Sequence, residues 1–516
     1  MKKLLQTFLV LSLCLLCACQ KQYKNVDTID DNYRVFYEIF VSSFSDSDSD
    51  GIGDLKGIIK RLDYLNDGDT TSGESLGIQG IWLTPIFSSP SYHKYDVIDY
   101  YSIDETFGTQ KDLDKLIEEC HKRNIKLILD MVINHTSNKN EWFSEFCKAH
   151  KSGDISNKYY DYYVYANNSE IPANRRFNGI PGTSQSYECN FSDDMPELNF
   201  DNEEVRNEVL NIAKYYLDKG IDGFRFDAAK YVYYGDNYTS VDFWNWYCDE
   251  LRKIKEDVYL VGEVWSAENE VNQYIDAFNC FNFTMAQAEG IIASAAKGNN
   301  ISVYANYIEK YQDQLSQINK DAMAIPFVSN HDMDRAAGYL NVYNSLAYMG
   351  ANLYLLSPGS PFIYYGEEIG MKGTRGSANT DANRRLAMLW GDGDTVKDPE
   401  GTTFDPDKQV NGTVKQQQEQ SFSLLNYYKK VIAFRNRYPQ IARGIYKRFN
   451  LNQNNLGGFV ITYNGESTYL FHNNSKDEIS ISIGRFTELI DFVGLNGASY
   501  ENGKLTVGAY TSVLLR

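Results

Sequence analysis

Short apolar runs alternate with amphipathic stretches from about Tyr33 onward, and that alternation predicts β/α units around a parallel sheet. The runs expected as strands lie near Val35–Val41, Gly80–Pro85, Ile125–Val132, Gly223–Phe226, Val258–Val264, Phe278–Phe283, Met323–Val328 and Phe362–Tyr365. Residues Glu203–Lys219 repeat at helical spacing: Val205, Val209, Ile212, Ala213, Tyr216 and Leu217 share one face, and Gly220 stands as a C-terminal stop. Another helix starts after Thr109, whose hydroxyl can cap it, with Asp112 three residues on. Eight such strands predict an α/β fold, a (β/α)8 TIM barrel whose chemistry sits where strands meet the following loops. Residues 136–202, rich in Tyr, Asn, Ser and Gly, are too long for an ordinary βα connection and predict an inserted lobe after the third strand. From 443 to 516 the helical pattern gives way to short alternating strands, as in a C-terminal antiparallel β domain. The barrel is therefore expected over 32–135 and 203–442.

The start of the chain changes the picture of where this fold works. Lys2 and Lys3 precede an apolar run from Leu4 to Leu16, too short to span a bilayer but suited to a signal-peptide core. It ends Leu16-Cys17-Ala18-Cys19, which resembles the bacterial lipobox. Residues 1–18 are thus expected to be removed, Cys19 to carry lipid, and 19–31 to form a polar tether, giving a secreted protein held on the outer face of the cell membrane. A formal charge of -19 argues against a nucleic acid partner and suits a neutral substrate; a monomer is expected. Outside the export segment five cysteines remain, an odd count without CxxC spacing, which argues against a disulfide scaffold or a cysteine-bound zinc.

The candidate chemistry lies at the strand ends. The third strand ends Asp130-Met-Val-Ile-Asn134-His135, the fourth Gly223-Phe-Arg225-Phe-Asp227, the fifth Gly262-Glu263-Val-Trp265, and the seventh Phe327-Val-Ser-Asn330-His331-Asp332. Charges at the ends of apolar strands are costly unless paired or used. A second cluster, Asp46-Ser-Asp48-Ser-Asp50-Gly51-Ile52-Gly53-Asp54, sets acidic oxygens at alternate positions with a backbone carbonyl at Ile52, a pattern suited to a hard cation such as calcium. Gly57 stands where an EF-hand would place its closing glutamate, so this is a different loop.

These four strand-end segments resemble the signature regions of glycoside hydrolase family 13, the α-amylase family. The resemblance extends to Gly80-Ile-Trp-Leu-Thr-Pro85, Met195-Pro-Glu-Leu-Asn199 and Gly366-Glu-Glu-Ile-Gly-Met371, and so covers nearly the whole mature chain. It implies Asp227 as nucleophile, Glu263 as general acid/base and Asp332 as a stabiliser of the distorted sugar, with Arg225 holding Asp227 ionised. It further implies that His93, Tyr95, Asp96, His135 and His331 meet the sugar at the cleavage point and that Lys230 touches the leaving-side sugars. The Asp46, Asp48, Asp50, Ile52, Asp54 loop is similar to a calcium loop of related members, and Asn134 matches one ligand of a second calcium site. Tyr231 departs from the family's histidine at that position, so no side-chain contact carries over there. The activity implied is retaining endo-hydrolysis of α-1,4-glucosidic bonds in starch-like glucans. The alternatives are an α-glucosidase, cyclomaltodextrinase or transglycosylase of the same family, or a glucan-binding lipoprotein without activity.

Overall fold

The computed structural model describes residues 29 and 31–516, so the expected signal segment, Cys19 and most of the tether lie outside the described residues. Seven strands form one parallel sheet: β1 (Phe36–Ile39), β2 (Gly80–Leu83), β3 (Lys126–Met131), β4 (Gly223–Phe226), β5 (Tyr259–Gly262), β6 (Asn279–Cys280) and β7 (Phe362–Tyr364). Their order, β6-β5-β4-β3-β2-β1-β7, follows the chain except at the seam between β6 and β7. The segment expected as another strand, Met323–Val328, fills that seam without becoming a regular strand. Phe281 bridges Ile325 in parallel, Asn282 N donates to Ile325 O at 3.1 Å, and Phe362 N donates to Pro326 O at 3.0 Å. Pro326 has no N–H for a ladder, so the segment closes the barrel through isolated bonds.

Helices cover the outside. They are α1 (Leu55–Leu65), α2 (Gln110–His121), α3 (Glu203–Lys219), α4 (Asn237–Ile254), α5 (Ile301–Ile318), α6 (Leu346–Leu355) and α7 (Leu424–Arg437). All six apolar positions predicted on α3 are buried, and Gly220 ends it with φ 106°, a left-handed conformation that glycine adopts without a Cβ penalty. Thr109 and Asp112 form the reciprocal capping box at the start of α2.

Strand residues alternate between two buried faces, as in parallel sheets covered by helices. Tyr37, Ile39, Ile81, Leu83, Phe224 and Phe226 pack outward into the layer beneath the helices. Phe36, Trp82, Ile128, Val261 and Phe362 pack inward into a separate plug, where the Phe36 and Phe362 rings stack at 4.7 Å. The plug fills the barrel, so polar side chains of the inward parity can meet solvent only at the C-terminal mouth.

Residues 136–202 contain a helix, Glu141–Ser152, and a three-stranded antiparallel sheet of Tyr165–Asn167, Gln185–Glu188 and Phe177–Gly179. Leu198 N donates to Asn134 O at 3.0 Å, tying this lobe to the end of β3. Strands from Ile445 to Leu515 build a five-stranded and a three-stranded antiparallel sheet. They dock on the barrel through Ile461 and Leu514, which enter its outer core, and through Asn352 Nδ2, which donates to Ser512 Oγ at 2.9 Å. Asp31, at the end of the expected tether, is ion-paired to Arg443 at 2.6 Å. Cys120, Cys189, Cys248 and Cys280 are buried and Cys147 partly so, all without disulfides. Among the described residues, no helix is long and apolar enough to cross a membrane.

Candidate active site

The inward parity that builds the plug also builds the site. Two residues beyond Phe36 comes Glu38, two beyond Ile128 comes Asp130, and two beyond Val261 comes Glu263. Arg225 lies opposite Asp130 in the β3–β4 register, and Asp227 follows it on the same face. Arg225 Nη1 donates to Asp227 Oδ1 at 2.6 Å and to Asp130 Oδ1 at 2.8 Å, while Nη2 donates to Glu263 Oε2 at 2.6 Å. One buried guanidinium thus faces three carboxyl groups, and such an excess of buried negative charge is relieved by taking up protons. Burial pushes the Glu263 carboxyl up, with Asp227 and Asp332 adding to the shift and Arg225 opposing it. Burial likewise raises Asp130 to about 7 against the pull of Arg225.

Asp227 and Glu263 occupy the two terminal nitrogens of one planar fork. Their near oxygens can be no further apart than two hydrogen bonds plus the fork's width, a span that accommodates the separation of about 5 Å needed for a retaining displacement. The turn between them is tight. Ala228 takes φ 48°, uncommon for alanine, and its N–H donates to Glu263 Oε2 at 3.3 Å.

Asp332 is held differently. Arg385 Nη2 donates to its Oδ1 at 2.6 Å, and His331 Nε2 lies 3.2 Å from its Oδ2. His331 Nδ1 donates to Glu38 Oε1 at 2.6 Å. With a carboxylate at each end the ring is an imidazolium: burial opposes the charge, yet Asp332 and Glu38 raise its pKa to about 10. Burial alone would raise Asp332, but His331 and Arg385 hold it well below the usual carboxylate range. Asp332 therefore stays ionised where Glu263 is pushed toward its protonated form. Tyr95 links the two halves, with its OH 2.7 Å from His331 Nε2 and donating to Asp130 Oδ2 at 2.9 Å.

Two further histidines are neutral. His135 Nε2 donates to Tyr95 O at 3.2 Å and its Nδ1 accepts from Asn134 Nδ2 at 3.2 Å, while burial lowers its pKa. His93 Nδ1 accepts from Tyr95 N at 3.1 Å, which leaves the ring proton on Nε2, and burial lowers its pKa to about 4.

Asp227, Glu263 and Asp332 line one cavity of about 710 Å³, together with His93, Tyr95, His135 and Lys230. It joins a second cavity of about 810 Å³ at Trp265, Asp332, Arg375 and Asp381, so the two form one continuous cleft. The larger part touches only Asp332 of the three carboxylates, which places the chemistry in the smaller part. Arg225 and His331 lie behind the cavity wall, at 1% and 0% exposure, and reach its contents through the carboxylates they hold. Asp96 is also turned away: its Oδ1 accepts from Ser89 Oγ at 2.8 Å and from Ser91 Oγ.

The sequence reading missed Glu38 and Arg385. Each had a signal, since Glu38 is a charge inside the apolar run Phe36-Tyr-Glu-Ile39, and Arg385 belongs to an arginine pair just before the apolar Leu386-Ala-Met-Leu389.

The Asp46 loop stands apart from this mouth. Carboxylate oxygens of Asp46, Asp48 and Asp50 come within 4.8 Å of one another, a hard-oxygen set that fits calcium and would otherwise repel itself. Ile52 N donates to Asp50 Oδ1 at 2.7 Å, keeping that residue in the loop. Asp54 accepts from Gly57 N and Ser47 N, both at 2.8 Å, and so caps α1 while folding the loop back. At Asn134 the fit is of another kind: Oδ1 is buried without a partner, and nearby Glu197, paired with His135 across a β-bridge, is raised to about 8 by burial and by Glu188. A buried oxygen left without a hydrogen-bond partner is a group that a cation would satisfy.

A barrel whose mouth gathers paired carboxyl groups on one arginine, at the head of a long open cleft, defines a glycoside hydrolase. Residues 38–444 match the family described as alpha amylase, catalytic domain. The chain belongs to the α-amylase family. It is 33% identical over 485 residues to alpha-amylase 3 of Dictyoglomus thermophilum, covering 93% of each chain. It is 31% identical to the 4-alpha-glucanotransferase of Thermotoga maritima, covering 86% of this chain and 96% of that protein. Among solved structures, Eubacterium rectale Amy13B superposes with a TM-score of 0.88 at 37% identity, over 96% of this chain and 98% of that one.

Proposed function

We propose that this protein cleaves internal α-1,4-glucosidic bonds of starch and related maltooligosaccharides with retention of configuration. The observation that carries the reading is the placement of Asp227 and Glu263 on two nitrogens of Arg225, in a cavity that also holds Asp332. In the first step Asp227 attacks the anomeric carbon while Glu263 gives its proton to the departing glycosidic oxygen, leaving a glycosyl ester on Asp227. In the second, Glu263 takes a proton from water, the water oxygen bonds to the anomeric carbon, and the Asp227 carboxylate departs. Asp332, ionised, stabilises positive charge on the distorted ring. Tyr95, His93 and His135 meet that sugar from the cavity wall, and Arg225 and His331 position the carboxylates.

A cleft that continues past the carboxylates into a second cavity supports internal cutting, because a chain can enter without ending at the site. The test is Asp227→Asn on soluble starch: loss of iodine-staining decay by at least about 10⁴-fold is expected. Unchanged decay overturns the mechanism. Transfer to a sugar acceptor is the second reading, favoured by the exposed rings Phe191 and Trp265 in the same cavity.

We further propose that the Asp46, Asp48, Asp50, Ile52, Asp54 loop holds calcium and that Asn134 contributes to a second site. Calcium would cross-link loop segments; it takes no part in the chemistry above. The N-terminal pattern supports export and lipid attachment at Cys19 to the outer face of the membrane. Incorporation of labelled palmitate that vanishes in Cys19→Ala tests the anchor.

A further inference from the structure

Glu38 is a carboxylate among the apolar residues of the barrel interior, and the bond-breaking chemistry does not use it. It lies on β1 in register with Trp82 of β2 and Tyr364 of β7, shares the inward parity of Phe36, and is 2% exposed. It does not line the catalytic cavity. A buried carboxylate is costly unless paired, and its partner is the equally buried His331. His331 Nδ1 donates to Glu38 Oε1 at 2.6 Å, and the His331 backbone N–H donates to the same oxygen at 3.3 Å. With two N–H groups aimed at that one oxygen, the proton between Glu38 and the ring sits on the ring. The ring is caged. Tyr95 stacks on it at 5.4 Å and 15°, Trp82 meets it edge-on at 5.7 Å and 73°, and Arg385 Nε donates to the His331 backbone oxygen at 3.1 Å. Its two nitrogens therefore keep the neighbours they have.

What the other nitrogen faces decides what Glu38 does. His331 Nε2 lies 3.2 Å from Asp332 Oδ2 and 2.7 Å from the Tyr95 hydroxyl oxygen. Tyr95 has one proton and gives it to Asp130 Oδ2 at 2.9 Å, an oxygen that also accepts from Trp82 Nε1 at 3.3 Å. Toward His331 the hydroxyl is thus an acceptor, so oxygens on both sides of the ring ask for its protons, and only the imidazolium has two. Asp332 is partly exposed to the cavity and is held at Oδ1 by Arg385 Nη2 at 2.6 Å; the His331 N–H fixes its second oxygen. A ring short of one proton would keep the other on Nδ1, where Glu38 accepts it, and would turn a lone pair on Nε2 toward that carboxylate. The other charges nearby are already engaged: Arg225 bonds Asp130, Asp227 and Glu263, and Arg385 bonds Asp332. Tyr364, opposite Glu38 on β7, stays a neutral phenol, because burial raises it far above its ordinary value and Glu38 adds to the shift. Burial opposes a charge on His331, so its second proton depends on the carboxylate at Nδ1.

We propose that Glu38 is a positioning residue for hydrolysis: its carboxylate keeps the second proton on His331, and through the N–H at Nε2 it holds Asp332 in place for the sugar as pH rises. This rests on the hydrolase reading above. The test is Glu38→Gln, in which the amide oxygen still accepts from His331 N and Nδ1 but carries no charge to stabilise the imidazolium. The substrate is α-maltosyl fluoride, whose leaving group departs without a proton, so the rate does not report on Glu263. Between about pH 6 and about pH 9, on either side of the ordinary histidine value, the ratio of variant to wild-type kcat/KM falls about tenfold, the effect of one hydrogen bond to a charged group. Asp130, raised to about 7, titrates in both proteins and cancels in the ratio. At the acid end the variant ring regains its proton and most of the loss is recovered. Glu38→Asp keeps the charge and holds the ratio level across the same range. NMR of the histidine ring nitrogens reads the proton directly: at about pH 9 His331 carries two ring protons in wild type and one in Glu38→Gln. A singly protonated His331 in wild type overturns the proposal even where neither variant folds. So does a Glu38→Gln ratio that is equally low, or unchanged, at every pH, since a residue that merely fills space gives no such dependence. Wild-type protein that cleaves neither the fluoride nor maltoheptaose defeats the hydrolase reading itself, whatever the ring protonation.

Discussion

Replacing Glu263 by glutamine separates proton donation from every other property of the site. The amide keeps the shape and an oxygen for Ala228 N and Arg225 Nη2, which now sit 3.3 and 2.6 Å from Oε2. Arg225 is not orphaned, because Asp130 and Asp227 remain on Nη1 at 2.8 and 2.6 Å. The fold should therefore survive, and what is lost is the proton. General acid catalysis contributes about 10²–10⁴-fold, or roughly 3–5 kcal/mol of barrier at 1.36 kcal/mol per decade. On maltoheptaose kcat/KM should fall by about that factor. On α-maltosyl fluoride, whose leaving group departs without a proton, kcat/KM should fall by less than about tenfold, since it reports only formation of the glycosyl ester. The pH profile gives an independent reading. Glu263 is raised by burial and by its acidic neighbours, so the active protonated form is present below that raised pKa and lost as pH climbs through it. The basic limb of wild-type kcat/KM on maltoheptaose should vanish in Glu263→Gln. Equal losses on both substrates, or a basic limb that persists unmoved, would refute the assignment of Glu263 as donor.

The same structure makes three further predictions. His331, raised to about 10 between Asp332 and Glu38, contributes stability that is complete below its unfolded value near 6.5 and is lost as pH rises toward 10. Urea midpoints of wild type should drop across that window more than those of Glu38→Gln, and parallel curves would dismiss the linkage. Arg385→Gln, which leaves His331 as the remaining cationic partner of Asp332, should cost roughly 1–3 kcal/mol in stability and at least tenfold in kcat, checked by melting and by initial rates on maltoheptaose. Dialysis against a chelator should lower the melting temperature by an amount that calcium restores. The double variant Asp48→Asn/Asp50→Asn should melt low and ignore calcium, with about 2.7 kcal/mol at stake at a hundredfold excess over Kd.

How far the sequence could be read follows from where its signals are local. α3 was legible because one apolar stripe and one glycine stop define it without help from elsewhere. The Met323–Val328 segment read as a strand because its composition suits one, but Pro326 and the seam geometry left it with isolated bonds, a tertiary fact. Asp227, Glu263 and Asp332 stood out as charges at the ends of apolar runs. Their partners did not, because Glu38 reaches His331 across 293 residues of chain and Arg385 reaches Asp332 across 53, and only barrel closure brings them together. Arg225 shows the limit most clearly. Its neighbourhood with Asp227 follows from strand parity, whereas its bonds to Asp130 and Glu263 depend on the registers of β3, β4 and β5.

The central claim is that Asp227 becomes covalently joined to the sugar. A fluorinated maltosyl fluoride that slows turnover of the glycosyl ester, followed by proteolysis and mass spectrometry, should place the added mass on Asp227. Labelling of Glu263 or Asp332 in its place, or turnover with no ester on any carboxylate, would contradict the account.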